Sequence, residues 1–217
     1  MKALVRKLAA TAALMTLASP AQGALTFVVP LTLGQEPGPP VPTTSTLAPR
    51  PASFGTATFV INDEMTAMTF TATIFNIDVT GSQTPDTFDN LVAAHIHVGT
   101  APAAIQPVRW GFFGLPDNDN NPDQLVITPF ASGVGGTFSS TWDAPEGNAG
   151  TTFATNLPGI LAGLAYINFH TVQFGGGEIR GNIPAVPEPT SWAMMLLGFT
   201  AIGLGVRARR RTSPQAA

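Results

Sequence analysis

Short extended segments separated by chain-breaking residues are the feature that most constrains this fold. Between residues 54 and 183, runs rich in Thr, Val, Ile and Phe alternate with clusters of Gly, Pro, Asn and Asp. Such runs are typical of β-strands, and the residues between them are typical of turns. Helix signals are weak, because the best candidate, residues 157–163, contains Pro158 and two glycines and predicts at most one turn. We therefore predict an all-β chain.

The pattern predicts a domain over residues 53–184 with a sandwich or barrel architecture. The candidate strands are residues 56–61, 66–77, 91–98, 108–113, 124–130, 135–142, 165–171 and 178–183. The first two flank a polar turn and predict a hairpin. The chain has no cysteine, so its stability depends on a hydrophobic core. The predicted core residues are Phe27, Phe59, Phe70, Phe75, Trp110, Phe112, Phe138, Trp142, Tyr166 and Phe169.

The N-terminal part of the chain divides into two segments. Residues 1–23 begin with Lys2, Arg6 and Lys7, continue through an uncharged apolar run, and end in Ala21-Gln22-Gly23, which predicts a secretory signal peptide. Residues 24–52 follow as a separate segment. A candidate apolar strand interrupted by Pro30 is followed by a segment rich in Pro, Thr and Ser. Proline is disfavoured in a central strand, so this segment is predicted to be a loop.

The C-terminal tail carries a sorting pattern over residues 186–211. A Pro-Glu-Pro triplet is followed by an apolar stretch at residues 192–206 and then by clustered arginines. The apolar stretch predicts a transmembrane helix with the arginines on the cytoplasmic side, although its 15 residues are slightly fewer than usual. The predicted signal residues are Pro187, Glu188, Pro189, Arg207, Arg209, Arg210 and Arg211.

This layout closely resembles the PEP-CTERM sorting signal. The resemblance implies an exported protein of a Gram-negative bacterium that makes an extracellular polymer matrix. It further implies transient anchoring in the inner membrane and processing there by an exosortase, before release to the cell surface or the matrix. An ordinary single-helix anchor that is never cut would have the same apolar helix and stays open as an alternative.

Charge is distributed very unevenly along the chain. Residues 24–186 hold 12 acidic residues and only 3 arginines, a net charge of −9, and both lysines of the chain lie in the predicted signal peptide. An acidic, lysine-free domain does not favour binding to nucleic acid or to anionic lipid. Soluble cations and neutral glycans remain compatible ligands.

The three histidines of the chain lie in two candidate strands. Alternate residues of a strand share a face, so His95 and His97 are expected to point the same way while Ile96 points into the core. Tyr166, Asn168 and His170 likewise share one face of the second strand. Glu178 and Arg180 share a face of the last strand. If the last two strands form a hairpin, His170 lies near Glu178.

Three segments resemble the signature blocks of the chordin-type (CHRD) domain. They are Ala-His-Ile-His-Val-Gly at residues 94–99, Tyr-Ile-Asn-Phe-His-Thr at 166–171 and Gly-Gly-Glu-Ile-Arg-Gly at 176–181. The resemblance extends over residues 54–183. It implies an immunoglobulin-like β-sandwich in an exported protein, and this family has no established enzymatic activity.

Two interpretations of the histidines remain open. His95, His97 and His170 form a ligand set suited to Cu or Zn if the two strands adjoin, which predicts a metal-binding module with potential redox activity. Alternatively, the histidines hydrogen-bond backbone and carboxylate groups, with Glu178 and Arg180 as a structural ion pair. The domain is then a non-enzymatic binding or structural module that recognises an extracellular polymer or protein partner through its loops.

A second, weaker cation pattern lies in an Asp/Asn-rich insertion. Asp117, Asp119, Asn121 and Asp123 place oxygen atoms at alternate positions, as at the start of a calcium loop. Pro122 stands where such a loop needs glycine, so an ordinary solvated turn is the competing interpretation. The sequence contains no nucleophile elbow, phosphate-binding loop or dinucleotide fingerprint, and we predict that the protein is not an enzyme.

Overall fold

The computed structural model describes residues 23–101, 105–187, 196–200, 202 and 207. Within this part of the chain nine strands form one sheet, which confirms the all-β prediction. The strands are β1 Leu25–Thr32, β2 Phe54–Ile61, β3 Met68–Phe75, β4 Leu91–Val98, β5 Val108–Phe113, β6 Val126–Pro129, β7 Gly135–Trp142, β8 Ala165–Thr171 and β9 Ile179–Ile183. The predicted hairpin is the β2–β3 pair.

The sheet has the order β5-β4-β8-β9-β1-β2-β3-β7-β6, and its strand pairs are antiparallel. It curls, so that strands distant in this order face each other across the core. Phe70 of β3 meets Trp110 of β5 edge-on with ring centroids 5.9 Å apart, and Phe138 of β7 lies 5.4 Å from Phe169 of β8. The described strands thus form one curled sheet. The predicted immunoglobulin-like sandwich, which has two separate sheets, is therefore not confirmed.

Strand β1 belongs to this sheet, although the sequence assigned it to a separate N-terminal segment. Its residues alternate between buried and more exposed positions, and Leu31 is fully buried. Pro30 is accommodated because β1 pairs along its length with β2 but with β9 only at Thr32↔Arg180. The proline therefore lies beside a largely unpaired strand edge, where its missing N–H is tolerated.

Two predicted core residues are placed differently from the prediction. Phe75 is 37% exposed and stacks on Phe54 outside the core, with ring centroids 4.8 Å apart. Tyr166 is buried, but it lies on the outer face of β8 and stacks on His97. The other predicted core residues are buried in the hydrophobic core.

The helix α1, Phe153–Leu161, is longer than the single turn predicted at residues 157–163. Thr152 and Thr155 form a reciprocal capping box at its N-terminus, which provides partners for backbone groups that would otherwise be unpaired. Phe153 and Ile160 are fully buried, and Phe153 packs edge-on against Trp142. This tertiary burial stabilises the helix despite Pro158 in its interior.

The targeting segments lie mostly outside the described residues. Of the predicted signal peptide, residues 1–23, only Gly23 is described. In the apolar part of the tail, residues 196–200 and 202 are described and helical. No helix in the described parts of the chain is long and apolar enough to cross a membrane, so the predicted transmembrane helix stays a prediction.

Candidate metal centre

Strand pairing brings the three histidines onto one surface of the sheet. His95 and His97 leave β4 on the face opposite Ile96, which is fully buried in the core as predicted. Strand β8 runs antiparallel beside β4, with the register His95↔Asn168 and Ala93↔His170. His170 therefore lies diagonally across from His95. All three imidazoles are at least nine-tenths buried.

The three histidines form a compact cluster. One nitrogen of each ring, taken together, gives a set of three atoms that all lie within 4.8 Å of one another. His95 Nδ1 and His170 Nε2 are 3.1 Å apart. Among the described residues, this is the one group of three or more His, Asp or Glu side chains close enough to share an ion. The structure thus brings together the predicted ligand set.

A backbone carbonyl contacts the outward nitrogen of each ring. Distances are 2.6 Å from His97 Nδ1 to the Gln106 oxygen, 3.0 Å from His95 Nε2 to the Leu115 oxygen and 3.0 Å from His170 Nδ1 to the Gly175 oxygen. A carbonyl only accepts, so each neutral ring donates its single N–H there. The lone pairs of His95 Nδ1, His97 Nε2 and His170 Nε2 then remain inside the cluster, which is the arrangement that metal-binding histidines use.

Without a cation these lone pairs have poor partners. His170 Nε2 faces His95 Nδ1 at 3.1 Å and Asn168 Oδ1 at 3.0 Å, and neither atom can donate a proton when the outward nitrogens hold the N–H groups. His97 Nε2 is buried and has no hydrogen-bond partner. Buried lone pairs without donors cost free energy. A positive ion bound where the three imidazole lone pairs converge would give each of them a favourable partner.

The electrostatic environment keeps these rings neutral. Burial lowers the pKa of His97 and of His170 to about 4, and it also lowers the pKa of His95. The proximity of the rings adds to the effect, because a charge on His95 disfavours a charge on either neighbour. The imidazoles are therefore unprotonated near neutral pH, which is the form that binds metal ions.

A stacked group supports the His97 side of the cluster. The Tyr166 ring lies nearly parallel to His97 with centroids 4.6 Å apart, and the Arg180 guanidinium carbon lies 3.3 Å from the centre of the Tyr166 ring. The Tyr166 hydroxyl accepts the Gln106 N–H at 3.2 Å. Gln106 therefore links the tyrosine to His97, whose Nδ1 donates to the Gln106 carbonyl. These contacts fix the orientation of the His97 ring.

Glu178 has an ion-pair partner that the sequence did not predict. The structure shows an ion pair of the fully buried Glu178 with Arg50 of the Pro-rich loop, 2.5 Å apart. Glu178 also accepts hydrogen bonds from the hydroxyls of Ser53 and Thr171. Arg180 instead packs on Tyr166 and donates to Asn182. The loop that carries Arg50 reaches the end of β8, where the Thr43 N–H donates to Gln173 and Arg50 pairs with Glu178. The sequence pattern did not indicate these contacts.

The predicted calcium ligands are turned toward separate partners. Asp117 accepts the N–H of Asp119, and Asp123 accepts the N–H of Leu125. Asp119 is buried, where it accepts the Ser140 hydroxyl and the Gln124 N–H. The backbone N–H of Asn121 donates to Glu146. Among the described residues, Asp117, Asp119 and Asp123 are not found as a group close enough to share an ion, and the calcium site stays a prediction.

Asp119 provides a test of this turn by pH. Burial raises the pKa of Asp119 to about 6, against about 3.9 in an unfolded chain. The folded state therefore holds the proton more strongly, and the stabilisation present at low pH is lost as the pH rises from about 4 to about 6. Asp119→Asn cannot ionise and can donate its amide to Ser140. We expect its stability relative to the wild type to increase by up to about 3 kcal/mol between pH 4 and pH 7.

Urea unfolding at several pH values between these limits measures this difference. Asp63→Asn, which removes an exposed aspartate between β2 and β3, is the matched control and should give a profile parallel to the wild type. An Asp119→Asn profile that is also parallel would contradict the prediction.

Sequence reasoning assigned no role to three residues: Asn168 and Glu36 near the cluster, and Arg50, which pairs with Glu178. Asn168 was placed on the histidine face but received no role, although the alternation Tyr166, Asn168, His170 contained the signal. Glu36 and Arg50 lie in the Pro-rich loop, where no periodic pattern predicts orientation. Burial raises the pKa of the Glu36 carboxyl, while Arg180 and the Asn168 amide lower it.

Together these features define a class: an all-β domain with a buried three-histidine cluster, followed by a C-terminal tail. The CHRD domain family matches residues 27–183, and the PEP-CTERM protein-sorting motif matches residues 185–211. The chain therefore belongs to the CHRD domain family, and both resemblances seen in the sequence are confirmed. The sorting motif implies export, processing by exosortase and membrane-transient sorting toward the cell surface. Comparisons with curated proteins and with solved structures find no match.

Proposed function

We propose that this protein is a non-enzymatic, exosortase-sorted protein of the cell surface or extracellular matrix of a Gram-negative bacterium, whose CHRD domain binds a copper or zinc ion. His95, His97 and His170 would hold the ion. The observation that carries the proposal is the convergence of three buried lone pairs, each on a ring whose other nitrogen contacts a backbone carbonyl. Carbonyl contacts of this kind orient metal-binding histidines and set which nitrogen is free.

The donor atoms decide which ions fit. Imidazole nitrogens suit zinc and copper, whereas calcium and magnesium prefer oxygen ligands. Two nitrogens bound to one tetrahedral zinc ion at about 2.0–2.1 Å lie roughly 3.3 Å apart. The separation of His95 Nδ1 from His170 Nε2, 3.1 Å, is close to this value. One of the three nitrogen pairs therefore already has the spacing that such an ion requires.

The competing proposal is a binding or structural module in which the histidines only connect loops. Their carbonyl contacts support it, because they tie β4 to Gln106 and Leu115 and tie β8 to Gly175. In that case the ligand would be an extracellular polymer or protein recognised elsewhere on the domain. The acidic, lysine-free composition of residues 24–186 is compatible with a neutral glycan but does not favour nucleic acid.

Metal analysis separates the two proposals. The full chain is purified, incubated with zinc or copper, freed of unbound ion and assayed for bound metal, beside the double variant His95→Ala/His97→Ala. We expect about one ion per wild-type chain and close to none in the variant, because one histidine cannot hold an ion tightly. A wild-type chain without bound metal, and a variant that is only less stable, would favour the structural module.

Intact mass of the protein from each cell fraction tests the sorting part of the proposal. We expect the surface or released form to lack Arg207 and the arginines that follow it, because processing removes the membrane tail. A form that retains them in the membrane fraction alone would favour the uncut anchor.

A further inference from the structure

The environment of Asn168 extends the proposed metal site. Asn168 lies on β8 directly opposite His95, and it is only 1% exposed. Its Oδ1 is 3.0 Å from His170 Nε2, which is itself 3.1 Å from His95 Nδ1. The amide oxygen thus lies beside one metal-binding nitrogen, and that nitrogen is adjacent to a second.

We propose that Asn168 Oδ1 is the fourth ligand of the metal ion, that Glu36 positions this amide, and that the resulting closed site of three nitrogens and one oxygen selects a divalent ion. This inference rests on the proposed function, because it completes the coordination of the same ion. The four donors come from two adjacent strands, since β4 supplies His95 and His97 while β8 supplies Asn168 and His170.

Glu36 lies on the far side of the Asn168 amide. A side chain at Gly177 would place its Cβ 2.3 Å from Glu36 Oε1 and 2.8 Å from Asn168 Nδ2, so the carboxylate and the amide nitrogen share one small space there. Glu36 Oε1 is buried and has no hydrogen-bond partner. The nearby Asn168 amide lowers the pKa of the Glu36 carboxyl. When the ion is bound, a carboxylate that accepts from the amide nitrogen would hold Oδ1 toward the histidines and make it a stronger ligand, as outer-shell carboxylates do for metal-binding imidazoles.

The absence of a side chain at residue 177 makes room for Glu36 and Asn168. Gly177 has a φ of +122°, a conformation that side-chain-bearing residues rarely adopt, and a Cβ would displace both Glu36 and Asn168. The turn that joins β8 to β9 therefore allows the loop bearing Glu36 to approach the cluster closely. It also supplies the Gly175 carbonyl that orients His170.

The donor set determines which ions the site should select. Four protein ligands complete a tetrahedral shell, which is typical of zinc sites that hold an ion without reacting. An amide oxygen is a hard donor and suits Zn²⁺ and Cu²⁺, whereas Cu⁺ prefers soft ligands. The site should therefore hold a divalent ion and gain little from Asn168 when the ion is Cu⁺. This agrees with the proposal of a non-enzymatic protein.

Affinity measurements on the full chain test the role of Asn168. We expect Asn168→Ala to weaken Zn²⁺ and Cu²⁺ binding by about tenfold or more, while Cu⁺ binding changes by less than about threefold. Asn168→Asp should restore binding of the divalent ions, because a carboxylate also provides an oxygen donor. Asn120→Ala removes an exposed asparagine and is the matched control, which should bind as the wild type does.

A spectroscopic readout distinguishes ligation from a purely structural role. The electron paramagnetic resonance spectrum of the Cu²⁺-loaded chain should change in Asn168→Ala and, by a smaller amount, in Glu36→Gln, but not in Asn120→Ala. Unchanged Cu²⁺ affinity and an unchanged spectrum in Asn168→Ala would overturn this inference while leaving the three-histidine site intact. A wild-type chain that takes up no metal would overturn the proposed function itself, and this inference with it.

Discussion

Saturation with zinc or copper is expected to raise the free energy of unfolding of this protein by about 4 kcal/mol when free ion is roughly a thousandfold above its dissociation constant. The reason is that an ion bound to His95, His97 and His170 binds the folded chain, in which β4 and β8 adjoin, far better than the unfolded chain. The ion also relieves the unfavourable contacts among the buried lone pairs.

Thermal or denaturant unfolding with and without a chelator measures this gain. His170→Ala removes one ligand and should show only a small difference between its loaded and chelated forms. The comparison uses the metal-induced increment of each protein, so a lower intrinsic stability of the variant does not affect it. Equal increments in the wild type and in His170→Ala would contradict the prediction.

Replacement of Arg50 by methionine is expected to destabilise the fold by about 3–5 kcal/mol, because it leaves the carboxylate of Glu178 buried without its ion-pair partner. Glu178 is fully buried, and the Arg50 side chain is 6% exposed. The guanidinium also donates to Ser53 and to the Asn76 carbonyl, so its loss breaks further contacts between the Pro-rich loop and the sheet. A loss of this size is a large part of the 5–15 kcal/mol of a typical domain.

Urea unfolding of Arg50→Met beside the double variant Arg50→Met/Glu178→Met provides the control. The double variant removes both charges, so it should be less destabilised than Arg50→Met alone. A single variant that loses less than about 1 kcal/mol, or a double variant that loses more than the single one, would show that the ion pair does not hold the loop.

Most strands of this fold could be predicted because their signals are local. The predicted ranges 91–98, 108–113, 135–142 and 165–171 coincide with β4, β5, β7 and β8. The length of helix α1 was underestimated because Pro158 lowers the local preference for helix. The burial of Phe153 and Ile160, which stabilises the helix, depends on the rest of the fold. Sheet order was not predictable either, since β1 lies between β2 and the last strand, β9.

The candidate site could likewise be predicted only in those features that depend on local sequence. Alternation along a strand was enough to place His95 and His97 on one face. The sorting tail could be predicted from composition and charge alone. Their meeting with His170 required the β4–β8 register, a pairing between segments about seventy residues apart, and no local pattern specifies such a register. The partners Glu36 and Arg50 depended on the path of a loop without periodicity.

The amino-acid sequence by itself therefore determined most of the strands, the shared face of His95 and His97 and the C-terminal sorting motif, because each depends on neighbouring residues along the chain. The tertiary structure decided that the sheet is continuous and curled, that Arg50 pairs with Glu178, and that His170 and Asn168 join the other histidines. These contacts depend on strand order, register and loop path, which result from the packing of the whole chain around one core.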